Sequence, residues 1–512
     1  MRFTGIPLDI RPYNYQFLED IVAMDKDVSI KMPNKELLGL RKNPADLDYL
    51  KKYILENAAN TDAFIISLDM LVYGGLFPSR LHNNSVEELK VRLDVLREIK
   101  NMNPDCKIYG SNLILRTPKY NSAEEEPDYY AFCGLDIFKY GHFLDKKARV
   151  GLSLEEEREF NEIDKRLNKD YLKDFINRRN KNISVILYAL ELVKEGIIDI
   201  LIIPQDDASE FGFTAMDQKK VYYEISKLRI ADKVFLHPGT DESGCTLITR
   251  AYLDKKGDFS IYPYYITEAF KNIIPNYEDR PFQYSLVSHT QACGIDIVDS
   301  INKADAVLAI NGAPIKMQEA YEISYGLNDE SQRKDISYYR YRNFPEFCKK
   351  INKFLDDNKE VSVLDVAFSN GGEKELIEYL DKYKLLERIS GYAGWNTCCN
   401  SLGTVLAAMT FSYFGKEKQK IENFKVRRLA SDWAYQTEVM LSIEFNELKE
   451  WGGSFSDFNG KEDELMELIK VKVKNKIDTT FVNSYNDKNI DVKEVRAPFK
   501  RMRGLEFIVN VE

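Results

Sequence analysis

Asp241 and Glu242 stand side by side after the apolar residues Phe235 and Leu236, with His237-Pro238 before them and Gly239 and Gly244 on either side. Two carboxylates in unlike environments carry out glycoside cleavage, one staying protonated to donate and the other staying charged to orient or stabilise. On a regular strand neighbouring side chains point to opposite faces, so both acids serve one substrate only where the backbone leaves β geometry. The two glycines permit that departure. The same residues also fit a turn and helix start, with Asp241 capping a helix from Cys245 to Tyr252.

A second acidic cluster, Gln205-Asp206-Asp207-Ala208-Ser209-Glu210, follows another apolar run. Asp206 and Asp207 suit sugar hydroxyls, a catalytic pair, or a divalent cation such as Mg²⁺ or Ca²⁺, which prefers oxygen ligands. A polar turn would need none of these roles. The stretch from Ser67 to Arg80 places Asp69 at a strand end, then Gly74-Gly75, then Arg80. That order fits a loop which lets a ligand approach the backbone, or a structural ion pair between Asp69 and Arg80. Asp9 and Arg11 invite the same two readings. In Gly391-Tyr392-Ala393-Gly394-Trp395-Asn396, the indole of Trp395 beside Asn396 is either a floor for a sugar ring or a core residue. Asn311-Gly312 and Ser369-Asn370-Gly371-Gly372 are strand-end turns whose Asn370 and amides face a ligand or merely close the turn.

The histidines are only His82, His142, His237 and His289, which disfavours a His-rich metal hydrolase and leaves carboxylates as the acid–base groups. His237, beside the acidic pair, is the one with a candidate role. Neither a Walker A nor a GxGxxG cradle occurs, so no nucleotide cofactor is indicated and the reading needs no cofactor.

Positioning these groups falls to short apolar runs that end in polar or glycine bursts: Phe3 to Leu8, Ala63 to Leu68, Ile108 to Leu115, Ile198 to Ile203, Val234 to Leu236, Ile261 to Ile266, Tyr284 to Val287, Ala306 to Ile310, Val361 to Ala367 and Ile389 to Ala393. Their alternation with helical stretches such as Ser85 to Ile99 and Glu373 to Arg388 predicts an α/β fold of repeated βα units. Parallel α/β folds bind ligands at the carboxyl ends of their strands, where these bursts fall. A (β/α)8-type barrel with extra elements is favoured, and two doubly wound α/β lobes are the alternative. Residues 1–415 form the α/β catalytic body, with a charged helical insertion near 121–182 that a Ser153/Glu156 capping box would start. Residues 416–512 form a helical appendage with a final strand, Leu505 to Val511.

The chain has 512 residues, and its Lys+Arg 72 against Asp+Glu 82 leaves a formal charge of −10, so no basic nucleic-acid footprint is expected. Seven cysteines without framework spacing argue for reduced thiols. With no apolar h-region at the N-terminus and no stretch long enough for a bilayer, the sequence reads as cytoplasmic, with no membrane partner.

His237-Pro238-Gly239-Thr240-Asp241-Glu242 resembles the His-x-Gly-Gly-Asp-Glu signature of the family-20 β-hexosaminidases, departing at Thr240, where that family has glycine. The resemblance implies Glu242 as general acid and Asp241 as the carboxylate orienting the substrate's own acetamido group. Over nearly the whole chain the sequence resembles the bacterial family called domain of unknown function 4127. That likeness rests on Pro7-Leu8-Asp9-Ile10-Arg11-Pro12, Ser67 to Arg80, Pro204-Gln205-Asp206-Asp207, Asp241-Glu242, Ser369-Asn370-Gly371-Gly372, Gly394-Trp395-Asn396-Thr397 and Asp432-Trp433-Ala434-Tyr435-Gln436. The expected activity is a glycoside hydrolase on a small carbohydrate, an N-acetylated hexosaminide in particular. Its alternatives are a divalent-metal-dependent hydrolase using Asp206 and Asp207, and a non-catalytic sugar-binding protein.

Overall fold

Strands rich in Ile, Val, Leu and Ala that are buried along their whole length belong inside parallel sheets covered on both faces. Ala63–Ser67, Ile200–Gln205 and Ala306–Gly312 are of this kind, with every residue buried. In the computed structural model, which describes residues 1–324 and 333–512, such strands fall into two open sheets.

The first sheet contains β1 (Arg2–Ile6), β2 (Ser29–Lys31), β3 (Ala63–Ser67), β4 (Lys107–Ser111), β5 (Ile200–Gln205) and β6 (Val234–Pro238) in the order β2-β1-β3-β4-β5-β6. From β1 through β6 its ladders are parallel, with Ile65 opposite Tyr109 and Pro204 opposite His237. The second sheet contains β7 (Ser260–Tyr265), β8 (Asp296–Ile297), β9 (Ala306–Gly312), β11 (Glu360–Val366) and β13 (Gly391–Ala393) in the order β13-β11-β9-β7-β8, again parallel. Beside it β10 (Gln318–Glu319) pairs with β12 (Phe368–Ser369).

Each sheet places its second strand on one side of its first and the later strands on the other. This is a doubly wound order, with its switch point between β1 and β3 in one sheet and between β7 and β9 in the other. The α/β class is as expected, but the strands form two open sheets and not a closed barrel. Strand periodicity carries no information on closure. The run Tyr284 to Val287 is not a strand: it lies in the helix Phe282–Cys293, which buries Ser285, Leu286 and His289 and leaves Tyr284 and Val287 outside. That spacing is helical, and Gly294, at φ 77°, ends the helix in the left-handed conformation.

The chain forms two compact units, residues 1–10, 30–247 and 277–279 in one, and residues 11–29, 248–276 and 280–512 in the other. In the first, the charged stretch after residue 121 supplies the helices Tyr130–Arg149, Leu154–Arg166 and Lys169–Lys194. The Ser153/Glu156 capping box opens the middle one. In the second, the C-terminal residues pack their helices into the same apolar core as β9 and β11. They end in an antiparallel pair, β14 (Ile490–Arg496) with β15 (Glu506–Val511). Eleven residues here, Leu429–Val439, wind as a π-helix, a form otherwise found mostly as single turns near functional sites. No helix of the described residues is long and apolar enough to cross a membrane.

Candidate functional site

At the carboxyl rim of the first sheet, the end of β6 carries the acidic pair. The strand stops at Pro238, Gly239 turns at φ 96°, and a helix starts at Ser243. Thr240 O accepts from both the backbone N–H and the hydroxyl of Ser243, at 3.2 and 2.6 Å. Gly239 therefore supplies the break in β geometry, while Gly244 is already helical. Glu242 is fully buried, and burial lifts its carboxyl well above the usual carboxylate range, which favours its protonated form. Its Oε1 lies 3.5 Å from Nδ1 of His237, also fully buried, and that nitrogen is 3.0 Å from the Pro238 carbonyl. Asp241 is buried beside it.

Gln205, at the end of β5, bridges to Ile114 on one side and to Gly239 on the other, which joins the ends of β4, β5 and β6 into one edge. Asp206 and Asp207 follow, and both are held by arginines. Arg80 Nη2 donates to Asp206 Oδ2 at 2.5 Å, and Arg116 Nη1 to Asp207 Oδ2 at 3.0 Å. The same guanidiniums contact two further acids. Arg80 Nη1 lies 3.0 Å from Glu125 and 3.2 Å from Glu126, and Arg116 reaches them at 2.7 and 2.9 Å. For Asp207, desolvation outweighs the Arg116 charge and the neighbouring Asp206 adds to it, which lifts the carboxyl to about 6. Its φ of 38° is a left-handed value that Asp tolerates better than most residues.

Asp69 follows β3 and is buried. Its Oδ2 accepts from the Leu113 amide at 2.9 Å and its Oδ1 from Asn112 Nδ2 at 3.1 Å. Burial raises its carboxyl to about 7 against these two bonds, with a smaller push from Asp206. The expected Asp69–Arg80 ion pair does not form, since Arg80 spends its guanidinium on Glu125, Glu126 and Asp206. Asp9 is buried just past β1, on the other side of this sheet's switch point.

The remaining sequence candidates belong to the second unit. Arg11 donates to the Tyr13 hydroxyl at 2.8 Å and lies over the rings of Tyr13 and Phe499. Trp395 is a core residue and not a sugar floor: Tyr13 stacks on it at 4.5 Å, Phe17 meets it edge-on, and its Nε1 donates to Thr404. Asn370 and Asn396 both adopt positive φ, and the Asn370 amide donates to the Asn396 carbonyl at 2.8 Å. The Asn370 side chain is tied to Glu319 and Arg503. Gly371 and Gly372 are glycines for packing. A Cβ on Gly371 would stand 2.4 Å from Thr437 Oγ1, and one on Gly372 would stand 2.0 Å from the Tyr392 hydroxyl.

Sequence reading missed a second polar cluster, at the carboxyl rim of the second sheet. Asn311 Nδ2 donates at 2.8 Å both to Asp365 Oδ1 and to Glu373 Oε2. Arg342 grips Glu373 at two points and Lys334 adds a third cation contact at 2.9 Å. Burial alone would raise Glu373, but Arg342 and then Lys334 outweigh it and hold the carboxyl down at about 2. Asp365 goes the other way: burial and the Glu373 charge lift it to about 7, although Tyr392, Asn311 and the Glu373 amide all donate to it. Asp432 in the π-helix accepts from the Gly394 amide at 3.2 Å, while its carbonyl takes the Gly372 amide at 2.9 Å. The π-helix thus braces both glycine loops. A cavity of about 690 Å³ opens beside this cluster, with Glu373, Lys334 and Gly372 in its wall.

Burial lowers His82 to about 4 and His289 to about 3, so both imidazoles are neutral, the first beside Asn182 and the second beside the Ser285 carbonyl.

No curated protein matches the chain. The model of a family described as "Protein of unknown function (DUF4127)" matches residues 3–507. The chain belongs to that family.

Proposed function

We propose that the protein is a glycoside hydrolase whose catalytic carboxylates lie at the carboxyl rim of the first sheet. Glu242 is the general acid and Asp241 the partner that orients or stabilises, with an N-acetylated hexosaminide as the substrate class. The observation that carries this reading is the full burial of Glu242 at a strand end, 3.5 Å from the His237 imidazole, where desolvation favours the protonated carboxyl. A glycosidase needs one carboxyl that is neutral at working pH and others that stay charged on the same rim. Asp206, tied to Arg80, is suited to a charged role, and hydroxyls of the substrate are natural donors to it. Three strand spacings, about 14 Å, separate β3 from β6, which sets Asp69 apart from bond cleavage at the end of β6.

The metal-dependent alternative would require Asp206 and Asp207 to leave Arg80 and Arg116, whose charges already compensate them. The test is turnover of aryl β-N-acetylglucosaminides and galactosaminides by the wild type and Glu242→Gln. Loss of a general acid predicts a fall of about 10²–10⁴-fold. Equal turnover by both proteins sinks the assignment. Saturable binding of these sugars without turnover, unchanged by Glu242→Gln, would favour a sugar-binding protein instead.

A further inference from the structure

We propose that the cavity at the carboxyl rim of the second sheet is a binding site for a sugar bearing one carboxylate or phosphate group. It is separate from the proposed catalytic pair, and its argument does not use that pair.

The cavity measures about 690 Å³, within the range of pockets that enclose small molecules. Its floor is preorganised. Glu373 is fixed by Arg342, Lys334 and Asn311, so it does not swing to meet a ligand. One wall is a face of the helix Lys374–Lys382, on which Lys374, Glu378 and Lys382 recur every fourth residue and all line the cavity. Lys374 reaches Glu378 only at 4.0 Å, and Lys382 forms no ion pair among the described residues. Lys374 and Lys382 therefore present ammonium groups to an anionic ligand, and Arg333 adds a guanidinium to the same lining, whereas Lys334 is taken up by Glu373 and Glu375.

The other lining groups point to what carries the anion. Glu375, Glu378 and Glu438 are paired with Lys334, Lys374 and Lys476, at 2.9, 4.0 and 2.7 Å, and an ionised carboxylate keeps further lone pairs that accept hydroxyls of a ligand. Tyr339, a residue 51% exposed, lines the same cavity, and with Lys334 Nζ over one side of its ring at 5.4 Å from the centroid, the opposite side is the one that would meet the C–H face of a pyranose. An anion for the lysines, hydroxyls for the glutamates and a ring for the tyrosine together describe an acidic sugar.

Calorimetric titration of the full chain with glucuronate and with glucose 6-phosphate tests this, with neutral glucose and inorganic phosphate as comparisons. The expected result is saturable binding of at least one acidic sugar, about tenfold or more tighter than glucose or phosphate alone. Whether glucuronate or glucose 6-phosphate binds tighter identifies the anionic group. Lys374→Ala/Lys382→Ala, whose side chains are exposed and leave the buried cluster intact, should weaken that binding about tenfold or more. Glu242→Gln should bind as the wild type does. No binding of either acidic sugar at millimolar concentration, equal binding of glucose or phosphate, or indifference to the lysine pair would overturn the proposal. Loss of binding in Glu242→Gln would also overturn it, by moving the ligand to the first sheet.

Discussion

Arg342 and Glu373 meet as a buried two-point ion pair, Nη1 to Oε2 at 2.5 Å and Nη2 to Oε1 at 2.7 Å. Removing one partner of such a pair leaves an uncompensated buried charge, so Arg342→Ala should cost about 3–5 kcal/mol in denaturant unfolding at pH 7. Glu373 is held at about 2, below its ordinary 4.5, so its contribution is complete above pH 4.5 and is lost as pH falls toward 2. The gap between variant and wild type should accordingly shrink across that window. A gap that stays constant down to pH 2.5 would show that Glu373 does not carry the charge.

Gly372 has a partner-specific reason to be glycine. Its missing Cβ leaves room for the Tyr392 hydroxyl, which donates to Asp365 at 2.7 Å. Gly372→Ala should cost about 2–3 kcal/mol by overpacking. Tyr392→Phe removes the clashing oxygen, so the double variant should be more stable than the sum of the two single losses by about 1 kcal/mol or more. Strict additivity in urea unfolding would mean that the alanine is accommodated elsewhere.

These two clusters also show where sequence reading stops. The runs that became β3, β5, β9 and β11 were legible because buried parallel strands are continuous stretches of Ile, Val, Leu and Ala. Asp9, Asp69, Asp206, Asn311 and Asn370 were legible as strand-end polar residues, which only the loops of an α/β rim collect. Tyr284 to Val287 misled because a short apolar run has no period long enough to separate strand from helix. Two open sheets instead of a barrel follow from strand order, which no local pattern encodes. Asp365 was hidden inside the apolar run from Val361 to Ala367, although a lone acid in a buried strand is itself a signal of a partner. Arg116 and Asp207 are 91 residues apart, and Arg342 and Glu373 are 31 apart. Neither pairing has a spacing that could announce it. Glu125 and Glu126 lay in a charged stretch that resembled surface, and only the fold turns them inward onto Arg80 and Arg116.

Arg80 is the joint of the first rim, because one guanidinium spans Glu125, Glu126 and Asp206. A lysine keeps the charge but presents a single ammonium on a flexible stem and lacks the planar fork. Arg80→Lys should therefore destabilise the chain by about 2–4 kcal/mol, read as a lower denaturant midpoint with an unchanged slope. A midpoint equal to wild type would show that charge alone, not the fork, organises these three acids.

Asp69 supplies a pH test with the opposite sign. Its carboxyl sits at about 7 in the folded chain against an ordinary 3.8. Below pH 3.8 both states are protonated and no cost arises. Between pH 3.8 and 7 the unfolded chain gives up this proton while the folded chain keeps it, so stability falls across that window and levels off above it, where the folded state too must ionise the buried group. Asparagine has the same shape and never ionises. Its Oδ1 can accept from the Leu113 amide, while its Nδ2 can donate to Asn112 Oδ1, a buried atom without a hydrogen-bond partner, once the Asn112 amide turns over. Asp69→Asn should thus be more stable than wild type at pH 8 by about 2–4 kcal/mol, with the gain narrowing to about 1–2 kcal/mol at pH 5. Urea unfolding at the two pH values measures the difference directly. A gain that is equal at both, or larger at pH 5, would mean that Asp69 is ionised throughout, held by the Leu113 and Asn112 donors against its burial.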